Sequence, residues 1–172
     1  MRNNKITMIT QAAIIAALYV VLTLIANALG LAKFAVQIRF SESLCILPYF
    51  TSAAIPGLYI GCLIANILTG ACIWDILFGS LATLIGAVGT YLLRKHKFFM
   101  TIPPVVSNIL IVPFVLKYGY GLTWMYNGVD MAIPFHALTI GLGEMLSISV
   151  LGSILLKVLL PYRNVIFKTQ EN

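Results

Sequence analysis

Residues 43–74 read SLCILPYFTSAAIPGLYIGCLIANILTGACIW and hold no charged side chain. A helix crossing a hydrocarbon core needs about 20 apolar residues, so this run is too long for one span and too short for two full ones. Pro56-Gly57 divides it, because proline lacks the N–H a helix interior uses and the pair favours a turn. The reading is two short helices, at about 41–53 and 56–69. At 1.5 Å per residue each reaches only ~20 Å, short of a ~30 Å core. Depth is left unfilled on one side of the bilayer, which predicts a dent.

Working outward, residues 6–32, 76–93 and 98–116 are also free of charge, and a last apolar segment is interrupted only by Glu144 and Lys157. They predict helices at about 7–30, 75–93, 101–117 and 134–160, giving six in a single integral domain over 1–172. The first run is too long for a signal peptide and lacks a convincing cleavage site, so it is kept as a span. Hydrophobic residues make up 60% of the chain and charged ones 9%, against about 25% charged in a soluble domain. The fold class is therefore an all-α membrane protein.

Six helices put both ends on one side. A cytoplasmic N-terminus gives that side Arg2, Lys5, Arg94, Lys95, Lys97, Lys157, Arg163 and Lys168, and leaves Lys33, Arg39 and Lys117 outside. The positive-inside bias favours this orientation, with N- and C-termini cytoplasmic. The net charge of +6 then reflects anionic lipid heads of the bilayer. No basic, aromatic-studded soluble face exists to bind nucleic acid. The acids are distributed oppositely: Glu42, Asp75, Asp130 and Glu144 fall in the outer half, and Glu171 alone in the tail.

Glu144 stands about ten residues into the last helix, where a carboxylate costs about 2.5–3.5 kcal/mol and calls for a partner, a ligand or an ion. Glu42 follows Ser41, so it reads equally as the acidic first turn of a capped helix and as the rim of a pocket. Arg39 is placed to pair with Glu42 or to complement a ligand. Asp75, beside Trp74, repeats the pattern at the next helix. Asn66 and Asn108 are amides within helices, suited to bridging helices or meeting a ligand. Ala12 and Ala16, with Ala13 and Ala17, make small-xxx-small pairs on the first helix, fit for close packing inside the chain or for docking a partner. The three cysteines, Cys45, Cys62 and Cys72, read as packing residues without a disulfide framework.

No GxxxxGK[ST] phosphate loop, HExxH, CxxC or GxSxG occurs, and the two histidines are remote from each other. No metal site, cofactor or catalytic set is expected, and the chain reads as a binder or conduit rather than an enzyme.

The blocks IRFSESLCILPYF (38–50), AAIPGLYIGCLIANILTG (53–70), DILFGSLATLIGA (75–87), PPVVSNILI (103–111) and LTIGLGEM (138–145) resemble the QueT family. These are substrate-binding S components of energy-coupling-factor transporters associated with queuosine precursors. The resemblance implies a bacterial cell-membrane location, a ligand pocket opening outward, and docking of the alanine strip on a transmembrane coupling subunit (T component). It also implies two separate ATPase subunits, which would explain the missing phosphate loop. A 7-deazaguanine base offers ring and exocyclic N–H donors that a carboxylate can accept. Glu144 is thus expected at the base edge, Glu42 or Asp75 near an aminomethyl arm, and Trp74 stacked on the ring. The alternatives are an S component for a flavin- or thiamine-like vitamin, or a small intramembrane enzyme.

Overall fold

The computed structural model describes residues 2–30, 39–96 and 99–167. Six helical segments are present among them. The first is α1, Arg2–Ala28, a helix of 27 residues. It is followed by a 3₁₀ helix, Phe40–Tyr49, and then by α2, Ala54–Leu68. A π-helical turn, Asp75–Gly79, leads into α3, Ser80–Leu92. The next segment, α4, Ile102–Phe114, ends in a second π turn, Val115–Gly119. A two-stranded antiparallel hairpin of β1, Met125–Tyr126, and β2, Val129–Asp130, comes next. The final segment combines α5, Ala132–Glu144, a π stretch, Met145–Leu151, and α6, Gly152–Leu159. Four stretches are long and apolar enough to span a membrane: Lys5–Ala28, Asp75–Leu92, Ile102–Gly119 and Ala132–Tyr162. The chain is an all-α, multi-pass membrane protein.

The second segment departs from the expected α-helix at 41–53. It is 3₁₀, begins at Phe40 and ends four residues earlier. Its 2.0 Å rise carries ten residues ~20 Å, a depth that would need about 13 residues of α-helix. Pro48 lies inside it, where the missing N–H weakens an α-helical ladder. Every residue from Ser41 to Pro48 is buried, so this segment is the central post of the fold. Leu44, Cys45, Ile46 and Leu47 form the core with Ile15 and Tyr19 of α1 and Leu58 and Cys62 of α2.

Small residues set the helix spacing. A Cβ on Gly57 would come within 2.8 Å of the Ala12 carbonyl oxygen, and one on Gly61 within 2.8 Å of Tyr19 Cβ. The alanine strip of α1 therefore divides: Ala12 and Ala16 lie against α2, whereas Ala13 and Ala17 are exposed. Between α3 and α4, Gly86 meets Pro104, and Ser107 Oγ donates to the Ala82 carbonyl at 2.9 Å. Helix association in lipid depends on such close packing and interhelical hydrogen bonds, because lipid tails supply little hydrophobic drive.

Candidate functional site

The site starts from Tyr19 of α1, whose ring is buried in the core. Its hydroxyl donates to Glu42 Oε1, and the Cys45 thiol donates to Glu42 Oε2 at 3.1 Å. Glu42 is 1% exposed, so these two donors replace the water a carboxylate would otherwise hold. Ser41 does not cap the helix by its side chain. Arg39 is the N-cap, and Ser41 Oγ instead accepts from Thr23 Oγ1 at 2.9 Å.

Arg39 does not pair with Glu42. Its backbone is extended, with φ −106° and ψ 104°, so its side chain leaves the helical row that Glu42 occupies. Arg39 Nη2 instead approaches Asp75 Oδ2 at 3.9 Å. The same carboxylate oxygen accepts from the Tyr120 hydroxyl at 3.0 Å, and the Tyr120 oxygen accepts from the Cys72 N–H at 3.2 Å. Burial, then the adjacent Asp75 carboxylate, pushes the Tyr120 phenol up, so it stays protonated as the donor. Asn66 Nδ2 donates to the Asp75 carbonyl at 3.2 Å, tying α2 to the π turn that opens α3.

Glu144, on α5, is 6% exposed and borders the same small chamber as Asn108 of α4. Its Oε2 has no hydrogen-bond partner among the described residues.

These side chains border two compartments. A polar vestibule of about 270 Å³ is lined by Thr23, Asn27, Arg39, Asn66, Asp75 and Tyr120, among others. A chamber of only about 10 Å³ is lined by Arg39, Asn108, Val112, Ile140 and Glu144. Five of the seven residues singled out in the sequence thus line these compartments: Arg39, Asn66, Asp75, Asn108 and Glu144. Glu42 lines neither and is buried against Tyr19 and Cys45. Trp74 also lines neither. It is half exposed, stacks on Phe78 at 5.9 Å, and lines a separate apolar groove with Leu110 and Phe114. Tyr120 is the aromatic residue on the polar vestibule.

Sequence reading missed Tyr19, Thr23, Asn27 and Tyr120. Tyr19 carried a usable signal, since a phenol inside a spanning segment needs an acceptor. Tyr120 sits in a Gly-Tyr-Gly loop, where no periodicity marks which way a side chain turns.

The loop between α4 and α5 is pinned separately. Lys117 Nζ meets Asp130 Oδ2 at 3.0 Å, and the Ala132 N–H donates to Asp130 Oδ1 at 3.0 Å. The hydrogen bond from Lys117, then that from the Ala132 backbone, holds the Asp130 carboxyl below the usual carboxylate range. Trp124 stacks on Phe135 with ring centroids 4.1 Å apart, anchoring the hairpin to α5.

Buried acids around a polar cavity, inside a multi-pass helical membrane protein, define the class of small-molecule membrane carriers. Comparison with known families sharpens this. The chain belongs to the QueT transporter family, whose model matches residues 9–161. It is a transporter family, not an enzyme family. The chain is 34% identical over 98 residues to "Queuosine precursor transporter QueT" of Lactococcus lactis subsp. cremoris (strain MG1363). That match covers 56% of this chain and 57% of the relative, so it spans little more than half of the relative's length. No solved structure matches the chain.

Proposed function

We propose that this chain is the substrate-binding S component of an energy-coupling-factor transporter importing queuosine precursors, that is, 7-deazaguanine compounds. The observation that carries the reading is that two buried acids line adjoining compartments, Asp75 the vestibule and Glu144 the chamber, with one guanidinium, Arg39, lining both and a third buried acid, Glu42, three residues along the chain from it. Such a site favours a ligand rich in N–H donors or carrying positive charge over an anionic one. Glu144 accepts from the base edge, and Asp75 stands near an aminomethyl arm. Glu42, satisfied by Tyr19 and Cys45, supplies negative potential rather than contact. The vestibule of about 270 Å³ falls just under the ~300–1,000 Å³ range of ligand clefts, which suits a small ligand.

The termini are cytoplasmic in this reading, and the vestibule opens outward. A transmembrane coupling subunit and two ATPase subunits supply the energy. The exposed Ala13 and Ala17 face of α1 is the surface offered to the coupling subunit; Ala12 and Ala16, turned to α2, support it from behind.

The test is ligand-induced thermal stabilisation of the purified chain in detergent. The panel holds 7-aminomethyl- and 7-cyano-7-deazaguanine, queuine, queuosine, guanine, riboflavin and thiamine. A selective shift with the deazaguanines is expected. A shift with riboflavin or thiamine alone would keep the binding class and overturn the substrate.

A further inference from the structure

The vestibule and the chamber share one lining residue, Arg39. They also share a helix face: Leu116 lines the vestibule, while Val112 and Asn108 line the chamber. These positions are four residues apart, so each step moves ~6 Å deeper along one side of α4 and its π continuation. The chamber therefore lies in line with the vestibule, with the Arg39 side chain between them.

Three observations bear on what that side chain does. The chamber of about 10 Å³ is at the threshold for a single water, so no heterocycle enters it as it stands. Yet Glu144, 6% exposed, holds Oε2 there without a partner, and a buried acceptor left unsatisfied is costly. Among the described residues the one ion pair of the Arg39 head group is with Asp75 at 3.9 Å, beyond hydrogen-bond length. Asp75 Oδ2 keeps the Tyr120 hydroxyl at 3.0 Å whether or not Arg39 is present. Moving Arg39 thus leaves Asp75 the Tyr120 donor on Oδ2, while Asp75 Oδ1 and Glu144 Oε2, both buried without a hydrogen-bond partner among the described residues, are open to a ligand's N–H groups.

We propose that Arg39 is a movable septum across a single binding tract, and that a ligand reaches Glu144 and Asn108 only when the guanidinium swings aside. The deep end then presents a carboxylate beside an amide. That pair is complementary to a planar edge with two adjacent N–H donors and an acceptor, while the remainder of the ligand fills the vestibule. The proposal deepens the deazaguanine reading and rests on it for the ligand's identity, but not for the septum itself.

The septum is testable without any ligand. Ile140, 5% exposed, lines the chamber, so Ile140→Cys places a thiol behind Arg39. Its modification by 2-aminoethyl methanethiosulfonate is followed by peptide-resolved mass spectrometry, with native Cys72 (partly exposed) and Cys45 (buried) as internal references. The rate is compared with Arg39 intact, with Arg39→Ala, and with Asp75→Asn, which releases the guanidinium without deleting it. Both second-site changes should speed modification at position 140 by roughly fivefold, the equivalent of about 1 kcal/mol of lost restraint, with Cys45 unchanged. An unchanged rate overturns the septum, as does an equal rise at Cys45 or a rate matching Cys72 while Arg39 is intact. Excess 7-aminomethyl-7-deazaguanine should slow modification at position 140. An Arg39-dependent rate that this compound does not slow would count against the substrate and leave the septum standing.

Discussion

Tyr19→Phe removes one hydroxyl and nothing else. The ring, 1% exposed in the core, keeps its shape and its contacts, so no cavity term enters. What is lost is one of the two donors to Glu42, itself 1% exposed and out of reach of water. A hydrogen bond to a charged acceptor contributes about 1.5–3 kcal/mol, whereas interhelical hydrogen bonds measured within membranes average about 0.6. The larger figure applies here, because Glu42 retains only the weak Cys45 thiol donor once the phenol is gone. Loss of about 2 kcal/mol in a chain of this size lowers the melting temperature by about 4–8 °C. The assay is thermal unfolding in detergent, run as a double-mutant cycle with Glu42→Gln. Glu42→Gln should erase most of the Tyr19→Phe effect, since a neutral amide loses less when the donor leaves. A fall of under ~1 °C for Tyr19→Phe, or full additivity of the two changes, would refute the pairing as a stabilising contact.

Other outcomes follow from the same geometry. Glu144→Gln should weaken every deazaguanine in the binding panel by about tenfold or more, because hydrogen bonds to a charged group are worth roughly twice neutral ones; equal affinity by calorimetry would remove Glu144 from the site. Trp74→Ala should leave affinity within about twofold, since Trp74 lines the separate apolar groove; a large loss would place the ligand in that groove. Gly57→Leu should destabilise the fold or block expression, because even an added Cβ would come within 2.8 Å of the Ala12 carbonyl oxygen; wild-type melting would show that α1 and α2 can part cheaply. The Asp130 carboxyl is depressed by Lys117, so that pair's contribution is fully present above the unfolded carboxylate pKa and lost as pH falls through the lower folded value. The melting difference between wild type and Lys117→Met should be flat above about pH 5 and shrink below about pH 4; a difference growing in acid would reverse the sign.

Charge spacing disclosed the spans because a bilayer tolerates few charges, and the breaks at Lys33, Asp75, Arg94 and Lys117 fall near the observed helix ends. The 3₁₀ form of Phe40–Tyr49 was not legible, since periodicity cannot distinguish helix types in a segment buried on every side. The costly residues Glu42, Asp75 and Glu144 pointed to the site for an energetic reason: a buried acid must be answered by something. Their partners were not readable. Arg39 met Asp75, 36 positions away in sequence, because an extended N-cap aimed it off its own helix. Trp74 adjoins Asp75 in the chain, yet at about 100° per residue the next side chain on a helix faces elsewhere, and Trp74 lines the apolar groove.

The central claim, that the acid-lined tract binds a 7-deazaguanine, is tested most directly by calorimetric titration of the full-length chain in detergent. 7-Aminomethyl-7-deazaguanine is the titrant, with wild type and Glu144→Gln compared side by side. The account predicts saturable one-to-one binding to wild type, weakened in Glu144→Gln, with guanine, riboflavin and thiamine far poorer. Binding of riboflavin or thiamine in place of the deazaguanine, or deazaguanine binding indifferent to Glu144, would contradict it.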